Sequence, residues 1–171
     1  SRSALFLCVT ILCFQTAIFG QTWVKQTSGT SKNLTGVHFF DSKIGWVVGV
    51  DGTVLKTSDG GSTWTDLTSI VTAAMYTTVN LNAVHFSDSN NGYAAGDTRS
   101  YMRTTDGGST WQEIDGRGNY NAYGVHLLSS GKMIAVGSAY NDESAGMVDT
   151  RSFSGSGSQQ RQLKQSGTGT L

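Results

Sequence analysis

An eight-residue phrase occurs twice in this 171-residue chain. It reads TSDGGSTW at residues 57–64 and TTDGGSTW at residues 104–111, about 47 residues later. Both copies lie inside a longer repeat, because residues 34–64 align with residues 81–111 without a gap and about 15 of 31 positions are identical. A third, more divergent copy begins near Tyr123. The chain is therefore a repeat protein, and its fold can be predicted from one unit.

Each unit contains short runs of β-prone residues separated by turn signals. In the first unit these runs are residues 37–40, 45–50, 53–57 and 64–68. The dipeptide Asp51-Gly52 predicts a type I′ hairpin turn, in which two residues have positive φ. No window after the N-terminal segment has the sustained 3.6-residue apolar period of a helix. The unit is predicted to be a four-stranded antiparallel sheet.

Small sheets that recur every 40 to 45 residues or so are typical of β-propeller blades, because each sheet has two apolar faces that only neighbouring blades can cover. The fold class is predicted to be all-β, with about two and a half to three four-stranded antiparallel blades in an incomplete ring. The propeller region spans residues 21–150. Its predicted units are a blade at 34–70, a blade at 81–117 and a partial blade at 122–150.

A fragment of a further unit precedes the first blade. Trp23 stands as far before Val37 as Trp111 stands before Val125. Residues 22–27 are therefore predicted to form an orphan outer strand, of the kind that completes the last blade of a closed ring.

The repeated residues form a recognisable motif. In both complete units a Val-x-Phe run and an Asp precede the Asp-box, (S/T)-x-D-x-G-x-(S/T)-W, also called the BNR motif. This pattern resembles the photosystem II stability/assembly factor type of propeller repeat. The resemblance implies a propeller that binds or assembles other proteins. Because Asp-boxes also occur in sialidases, xyloglucan-cleaving glycosidases and sorting receptors, the fold does not decide the activity. The boxes are formed by Thr57, Asp59, Gly61, Thr63 and Trp64 and by Thr104, Asp106, Gly108, Thr110 and Trp111.

The Asp-box is interpreted as a structural turn. Asp59 and Asp106 carry short carboxylates that can accept backbone N–H bonds across a tight turn, and the glycine pairs permit positive φ. Trp64 and Trp111 are expected to cover apolar surface between blades. The spacing lacks the alternating oxygen ligands of a calcium loop, so neither a metal nor a cofactor is predicted.

No catalytic residue is predicted. His38, His85 and His126 occupy the same position in three successive units, and a residue that recurs with a repeat normally serves the repeat. A packing or hydrogen-bonding role is expected for them, with a shared metal site as the alternative. Asp142 and Glu143 are adjacent, so on a strand they point to opposite faces and cannot flank one glycosidic bond.

Binding residues are expected in the loops at the propeller end opposite to the Asp-boxes. Tyrosine is mixed there with Asn and charged residues, which suits a protein or glycan contact surface. The alternative for these residues is an ordinary solvated loop. The candidates are Asp97, Arg99, Tyr101, Arg117, Asn119, Tyr120, Tyr140 and Asp142.

The N-terminal segment predicts export. Arg2 is followed by an apolar run, and Gly20 supplies a cleavage point, so residues 1–20 are predicted to be a secretion signal peptide. The run is short for a membrane span, which needs about 20 apolar residues, and an uncleaved anchor is the alternative. The mature chain is expected to be secreted, periplasmic or lumenal, without a stable membrane span. Cys8 and Cys13 both lie in the signal, which excludes disulfides and thiolate sites from the exported domain.

Charge and composition argue against two further classes. The formal net charge is zero and 14% of the residues are charged, so no nucleic-acid partner is predicted. Sialidases resemble one another in an early Arg-Ile-Pro element, and this chain contains no proline.

The repeat pattern fails near the C-terminus. An Asp-box is due at residues 151–159, but Ser154 stands where its Asp belongs and Gln159 where its Trp belongs. Residues 151–171 form a low-complexity tract that is predicted to be disordered, because it has too little apolar surface to offset the entropy of ordering. The pattern indicates a truncated family member whose ring cannot close, since closed propellers typically use four to eight blades.

Together these features predict an exported, non-catalytic propeller that acts as a binding or assembly scaffold, with a protein client or a glycan as its partner. Two alternatives stay open. One is a fragment of a secreted, glycan-cleaving Asp-box enzyme of sialidase-like or xyloglucanase-like type. The other is a cell-surface adhesion module.

Overall fold

The computed structural model describes residues 24–75, 77–114, 120–139, 142–152 and 162–165. Twelve strands in these residues form three four-stranded antiparallel sheets, which confirms the all-β class. The first sheet contains β1 (Leu34–Phe39), β2 (Gly45–Gly49), β3 (Val54–Thr57) and β4 (Thr65–Asp66). The second contains β5 (Leu81–Phe86), β6 (Gly92–Gly96), β7 (Tyr101–Thr104) and β8 (Gln112–Ile114). The third contains β9 (Tyr120–Leu127), β10 (Lys132–Ala139), β11 (Asp142–Ser152) and β12 (Gln162–Gln165).

Successive strands are neighbours in each sheet, so the strands of a blade are joined as hairpins. Between β2 and β3, Asp51 and Gly52 have φ values of 54° and 67°. The Thr53 N–H closes this turn on the Val50 carbonyl at 3.1 Å. Two positive φ angles in a two-residue loop are the type I′ geometry that Asp-Gly predicts. Thr98 takes the same place in the second blade, with a φ of 47°.

In the second blade, Phe86 on β5 packs over Gly92 on the neighbouring strand β6. A Cβ built on Gly92 would lie 2.5 Å from the ring of Phe86, so a larger residue would collide with the ring. The third blade changes both positions together. Leu127 replaces the phenylalanine, Met133 replaces the glycine, and the two are paired across the sheet and buried.

The third blade differs from its sequence prediction. Residues 151–171 are predicted to be disordered, but β11 extends to Ser152 and β12 pairs along its outer side. In this register Thr150 lies opposite Gln162. The partial blade is therefore a four-stranded sheet. Strand pairing is made by main-chain hydrogen bonds, which a glutamine-rich segment can supply without much apolar surface.

A short helix that the strand pattern does not predict joins the first two blades. It is α1 (Thr68–Ala73), and its Val71 is fully buried between the blades. The Thr72 hydroxyl donates to the Thr68 carbonyl at 2.9 Å. Six residues are too few to show the apolar period of a helix in the sequence. The helix is held against the blades by the Val71 side chain rather than by an apolar face several turns long.

Two hydrophobic clusters join the blades to one another. Between the first and second blades, the Trp46 ring stacks on Phe86 with 3.4 Å between centroids and 5° between planes. Trp111 meets Phe86 edge-on at 6.1 Å. Between the second and third blades, the cluster includes Tyr101 and Met133. Both clusters draw on two blades, so each blade depends on its neighbour for burial.

The segment before the first blade lies against that blade's Asp-box. The described part of the predicted orphan strand at residues 22–27 is irregular rather than a strand. The Gln26 amide oxygen nevertheless occupies the space that a Cβ on Gly61 would need. In the next blade, Leu67, which directly follows β4, lies 3.2 Å from the position of a Cβ built on Gly108. The segment therefore contacts the first blade as an outer strand would, without strand pairing.

Candidate functional site

Each Asp-box closes its turn with its own side chains. In the first box, the Thr57 hydroxyl donates to Asp59 Oδ1 at 2.8 Å and accepts the Gly61 N–H at 2.9 Å. The N–H and the hydroxyl of Thr63 donate to the Asp59 carboxylate at 2.9 and 2.6 Å. Gly60 and Gly61 have φ values of 74° and 90°, which glycine adopts without strain. Both carboxylate oxygens are thus engaged within the turn.

The second box repeats this network. The Thr104 hydroxyl donates to Asp106 at 2.9 Å, and Thr110 donates to the same carboxylate from its N–H at 2.9 Å and from its hydroxyl at 2.6 Å. Such bonds favour the ionised carboxylate. The Thr63 hydroxyl, followed by the Thr63 N–H, lowers the pKa of Asp59 to about 2, and the pKa of Asp106 is lowered in the same way by Thr110.

The second box also receives side chains from the first blade. Trp46 Nε1 donates to the Gly107 carbonyl at 3.2 Å, and Lys56 Nζ donates to the same oxygen at 2.8 Å. The Lys56 ammonium lies 5.4 Å from the centroid of the Trp46 ring, within range of a cation–π interaction. The box turn is therefore a contact between blades as well as a turn.

Removal of the box carboxylate is expected to destabilise the fold. In Asp106→Ala, the donors on Thr104 and Thr110 lose their acceptor, and the melting temperature at pH 7 should fall by about 5 °C. Thermal unfolding followed by circular dichroism measures this change. Ser109→Ala is the control, because it removes one exposed hydrogen bond to the Asp106 carbonyl in the same turn. Equal melting temperatures for the two variants would contradict the role given to the carboxylate.

The three repeated histidines form a column. The ring centroids are 4.3 Å apart for His38 and His85 and 4.1 Å apart for His85 and His126. His85 Nδ1 accepts the Leu127 N–H at 3.1 Å, so that nitrogen carries no proton. Burial, followed by repulsion from the two neighbouring histidines, lowers the pKa of His85 to about 4. Burial also lowers the pKa of His38. The described residues contain no cluster of His, Cys, Asp or Glu able to hold a metal ion.

Two of the predicted binding residues lie in the core. Tyr101 on β7 is fully buried and Tyr120 on β9 nearly so, and their hydroxyl oxygens are 3.1 Å apart. The Tyr120 hydroxyl donates to Asp149 Oδ2 at 2.5 Å. The prediction that these tyrosines form a contact surface is wrong, because both point into the junction between the second and third blades.

Asp97 is held in a polar network between blades. Asn80 Nδ2 and Asn82 Nδ2 donate to its two carboxylate oxygens at 2.9 and 2.8 Å. Asn82 Nδ2 also donates to the Ala122 carbonyl of the third blade at 3.1 Å. The other predicted binding residues cannot be compared with the structure in the same way. The side chains of Arg99 and Asp142 lie outside the described part, and so do the whole residues Arg117, Asn119 and Tyr140.

Two asparagines bridge blades, a role that sequence reasoning did not assign to them. Asn80 Oδ1 accepts the Asp51 N–H at 3.1 Å, and Asn121 Oδ1 accepts the Thr98 N–H at 3.0 Å. Each asparagine stands near the start of one blade and binds the turn of the preceding blade. Asn33, Asn80 and Asn121 occupy the same position in three successive repeats. This recurrence is the sequence signal that could have identified the bridging residues.

A cavity of about 300 Å³ lies between the second and third blades, at the end of the blades where the Asp-boxes lie. Tyr93 and Arg103, which line it, correspond to Trp46 and Lys56 of the preceding blade. Burial raises the pKa of Tyr93 to about 12, so the phenol is neutral. The third unit has no complete Asp-box to supply a carbonyl like that of Gly107. The remaining lining residues are Ser87, Asp88, Asn91, Leu127, Ser129, Ser130 and Gly131.

None of the helices in the described residues is both long enough and apolar enough to cross a membrane. The predicted signal peptide at residues 1–20 lies outside these residues.

Residues 16–147, more than half of the chain, match the family model for the photosynthesis system II assembly factor YCF48. The chain belongs to the YCF48 family. The resemblance of its repeats to those of photosystem II assembly factors is therefore confirmed. No curated protein sequence matches this YCF48-family chain significantly.

Solved structures show the same fold. The structure of YCF48 bound to D1 peptide matches with a TM-score of 0.61 and 26% identity, over 77% of this chain and 41% of that one. YCF48 from Cyanidioschyzon merolae matches with a TM-score of 0.54 and 23% identity, over 71% and 37% of the two chains. An ancestral GH74 enzyme matches with a TM-score of 0.56 and 18% identity, over 76% and 20%. The YCF48-family chain thus forms part of a propeller and spans less than half the length of these relatives.

Proposed function

We propose that this chain is a non-catalytic, exported scaffold that binds a peptide segment of a client protein. The observation that carries the proposal is the match, at 26% identity over 77% of the chain, to a YCF48 structure with a bound D1 peptide. Family membership over residues 16–147 supports it. Export rests on the predicted signal peptide.

We place the peptide in the cavity between the second and third blades. Residues with hydrogen-bond donors line this cavity, among them Arg103, Ser129 and Ser130. Such donors suit the main-chain carbonyls or the terminal carboxylate of a peptide. Hydrogen bonds from Asn91 and from the N–H groups of its own turn lower the pKa of Asp88, so this carboxylate at the cavity is ionised. The cavity therefore suits the main-chain carbonyls of a peptide better than a second carboxylate.

The placement is tested by filling the cavity with a bulky side chain. In Ser130→Trp, an exposed turn residue at the cavity is enlarged, and we expect the Kd for a fluorescein-labelled D1 peptide to rise at least about tenfold. Fluorescence anisotropy measures the Kd. Ser42→Trp is the matched control, since Ser42 holds the equivalent position in the first blade, away from the cavity, and its Kd should equal that of the wild type.

Three results would count against this proposal in different ways. No binding of the D1 peptide by the wild-type chain would remove support for a shared client. Binding that Ser130→Trp leaves unchanged would move the site away from the cavity, and Asp97→Ala then tests the loops at the opposite end. Equal weakening by both tryptophan variants would show that the effect is not local.

A glycosidase function receives less support from the same residues. Retaining and inverting glycosidases need a carboxylic acid whose pKa is raised. The pKa values of Asp41, Asp59, Asp88 and Asp106 are all lowered by hydrogen bonds within their turns. The GH74 likeness, at 18% identity, shows the fold alone. Incubation with xyloglucan should release no reducing ends, and sustained release by the purified chain would favour the enzyme.

A further inference from the structure

A row of three side chains crosses the second blade on the side that faces the third. His85 on β5 pairs with Tyr93 on β6, and Tyr93 pairs with Arg103 on β7. Side chains directly opposite each other in paired strands lie on the same face of a sheet. Tyr93 and Arg103 line the cavity between the second and third blades, so His85 stands at the inner end of a row that forms part of the cavity wall.

The third-blade side of the cavity is tied to His85 by one hydrogen bond. His85 Nδ1 accepts the Leu127 N–H at 3.1 Å, and Leu127 lines the cavity. The turn that follows is closed by the Gly131 N–H on the Leu128 carbonyl at 2.9 Å, and residues 129–131 of this turn also line the cavity. The bond to His85 therefore anchors to the second blade the part of the third blade that shapes the cavity.

This anchor exists in only one protonation state of the ring. Nδ1 can accept the Leu127 N–H only while it carries no proton, and a protonated imidazole has an N–H donor at both nitrogens. Protonation of His85 would therefore set two N–H groups against each other and break the bond. The titratable groups that flank the ring are His38 on β1 and His126 on β9, with centroids at 4.3 and 4.1 Å.

The other groups along the row keep their charge where His85 titrates. The Arg103 guanidinium stays cationic in this range. Burial raises the pKa of Tyr93 to about 12, so its phenol stays neutral. Hydrogen bonds, first among them that of the Asn91 side chain, lower the pKa of Asp88, so this carboxylate is ionised above about pH 4. A change in the cavity over this pH range is therefore assigned to the histidines.

We propose that His85 is a positioning residue of the cavity and that its protonation releases the client peptide. While the ring is neutral, its bond holds Leu127 and the turn at residues 128–131 in the place that forms the cavity. When Nδ1 takes up a proton, this turn loses its anchor to the second blade and the cavity changes shape. This role of His85 rests on the proposed function, because the released ligand is the peptide assigned to the cavity. Binding and protonation are linked, so the peptide in turn opposes protonation of the ring.

The pH dependence of peptide binding by the full-length chain tests this role. A tetramethylrhodamine-labelled D1 peptide is the probe, since fluorescein loses emission in acid, and fluorescence anisotropy gives the Kd. His85→Gln keeps an acceptor for the Leu127 N–H but does not titrate. With a pKa of about 4 for His85, the Kd should rise about twofold more in the wild type than in His85→Gln between about pH 7 and pH 4. The excess should reach about fourfold at about pH 3.5.

His38→Gln is the matched control, because His38 holds the equivalent position in the first blade and is not a lining residue of the cavity. This variant removes one of the two histidines that repel a charge on His85, so the pKa of His85 should rise. The excess in Kd should then appear at a higher pH than in the wild type. A variant that only weakens the fold would raise the Kd at every pH, and circular dichroism verifies folding at each pH.

A measurement without peptide separates this role from the proposed function. In proton–nitrogen NMR spectra of the free chain, the Leu127 and Ser130 amide signals should move with the same midpoint as the His85 ring, and saturating peptide should lower that midpoint. Amide signals that stay fixed while the ring titrates would overturn the positioning role, and so would equal pH profiles of Kd for the wild type and His85→Gln. Moving amide signals in a chain that binds no peptide would support the anchor and contradict the proposed client.

Discussion

Phe86→Ala is expected to lower the free energy of unfolding by about 3–5 kcal/mol, whereas Phe39→Ala should lower it by about 1 kcal/mol. The two residues hold the same position in successive repeats, so the chemical change is identical. Phe86 is 2% exposed and lies between the stacked ring of Trp46 and the edge-on ring of Trp111. Phe39 is 40% exposed and meets the ring of Trp64 edge-on at 6.2 Å.

Urea unfolding of the two variants and the wild type measures both values. The comparison separates burial between blades from the packing of a phenylalanine on its own blade. If the two substitutions cost the same, the stability of a blade does not depend on its neighbour, and the description of the core as a set of junctions is wrong. A cost near 4 kcal/mol for Phe86→Ala would be a large part of the stability of a typical domain.

Stability is also expected to fall as the pH drops from about 6.5 towards 4, through the histidine column. The pKa of His85 is about 4 in the folded chain and near 6.5 in an unfolded one, so folding favours the neutral ring. The stabilisation is complete above the unfolded pKa and is lost as the pH falls through the folded pKa. Protonation at Nδ1 would also break the bond from the Leu127 N–H. Because the ring is partly exposed, the loss should be about 1–2 kcal/mol.

His85→Gln gives a direct measurement of this effect. Its amide oxygen can still accept the Leu127 N–H, but it does not titrate, so the fall in urea midpoint between pH 6.5 and 4 should be smaller than in the wild type. The remaining fall is assigned to His38, whose pKa is also lowered by burial. A second loss of stability below pH 4 should remain in the variant, because the pKa of Asp59 is lowered to about 2 and its box then becomes protonated. A His85→Gln profile identical to that of the wild type would assign the upper transition to other groups.

The repeat made the blades predictable, because hairpin turns and strand runs are local signals. Asp51-Gly52 predicts its turn from two residues, and the structure shows that turn. Burial is less local. Tyr101 follows a loop and is predicted to face solvent, although its alignment with Val54 places it on the buried side of β7. An aligned reading of every repeat position would have corrected that prediction.

Other features depend on parts of the chain that are distant in sequence. β12 follows a Ser/Gly-rich stretch and pairs through its backbone with β11, so its composition carries little sign of a strand. The cavity arises between Arg103 and the turn at residues 129–131, which belong to different blades. The hydrogen bond between Tyr120 and Asp149 likewise joins β9 to β11. The residue pattern within one segment does not predict contacts between residues that are far apart in the sequence.

The asparagine bridges have a consequence for local unfolding. The amide hydrogen of Asp51 belongs to a turn of the first blade, yet its acceptor is the Asn80 side chain at the start of the second. Thr98 stands in the same relation to Asn121 of the third blade. Exchange of each amide with solvent is therefore governed by the opening of the following blade, and not only by that of its own hairpin. Both turn amides are therefore protected from hydrogen exchange by the blade that follows them in the sequence.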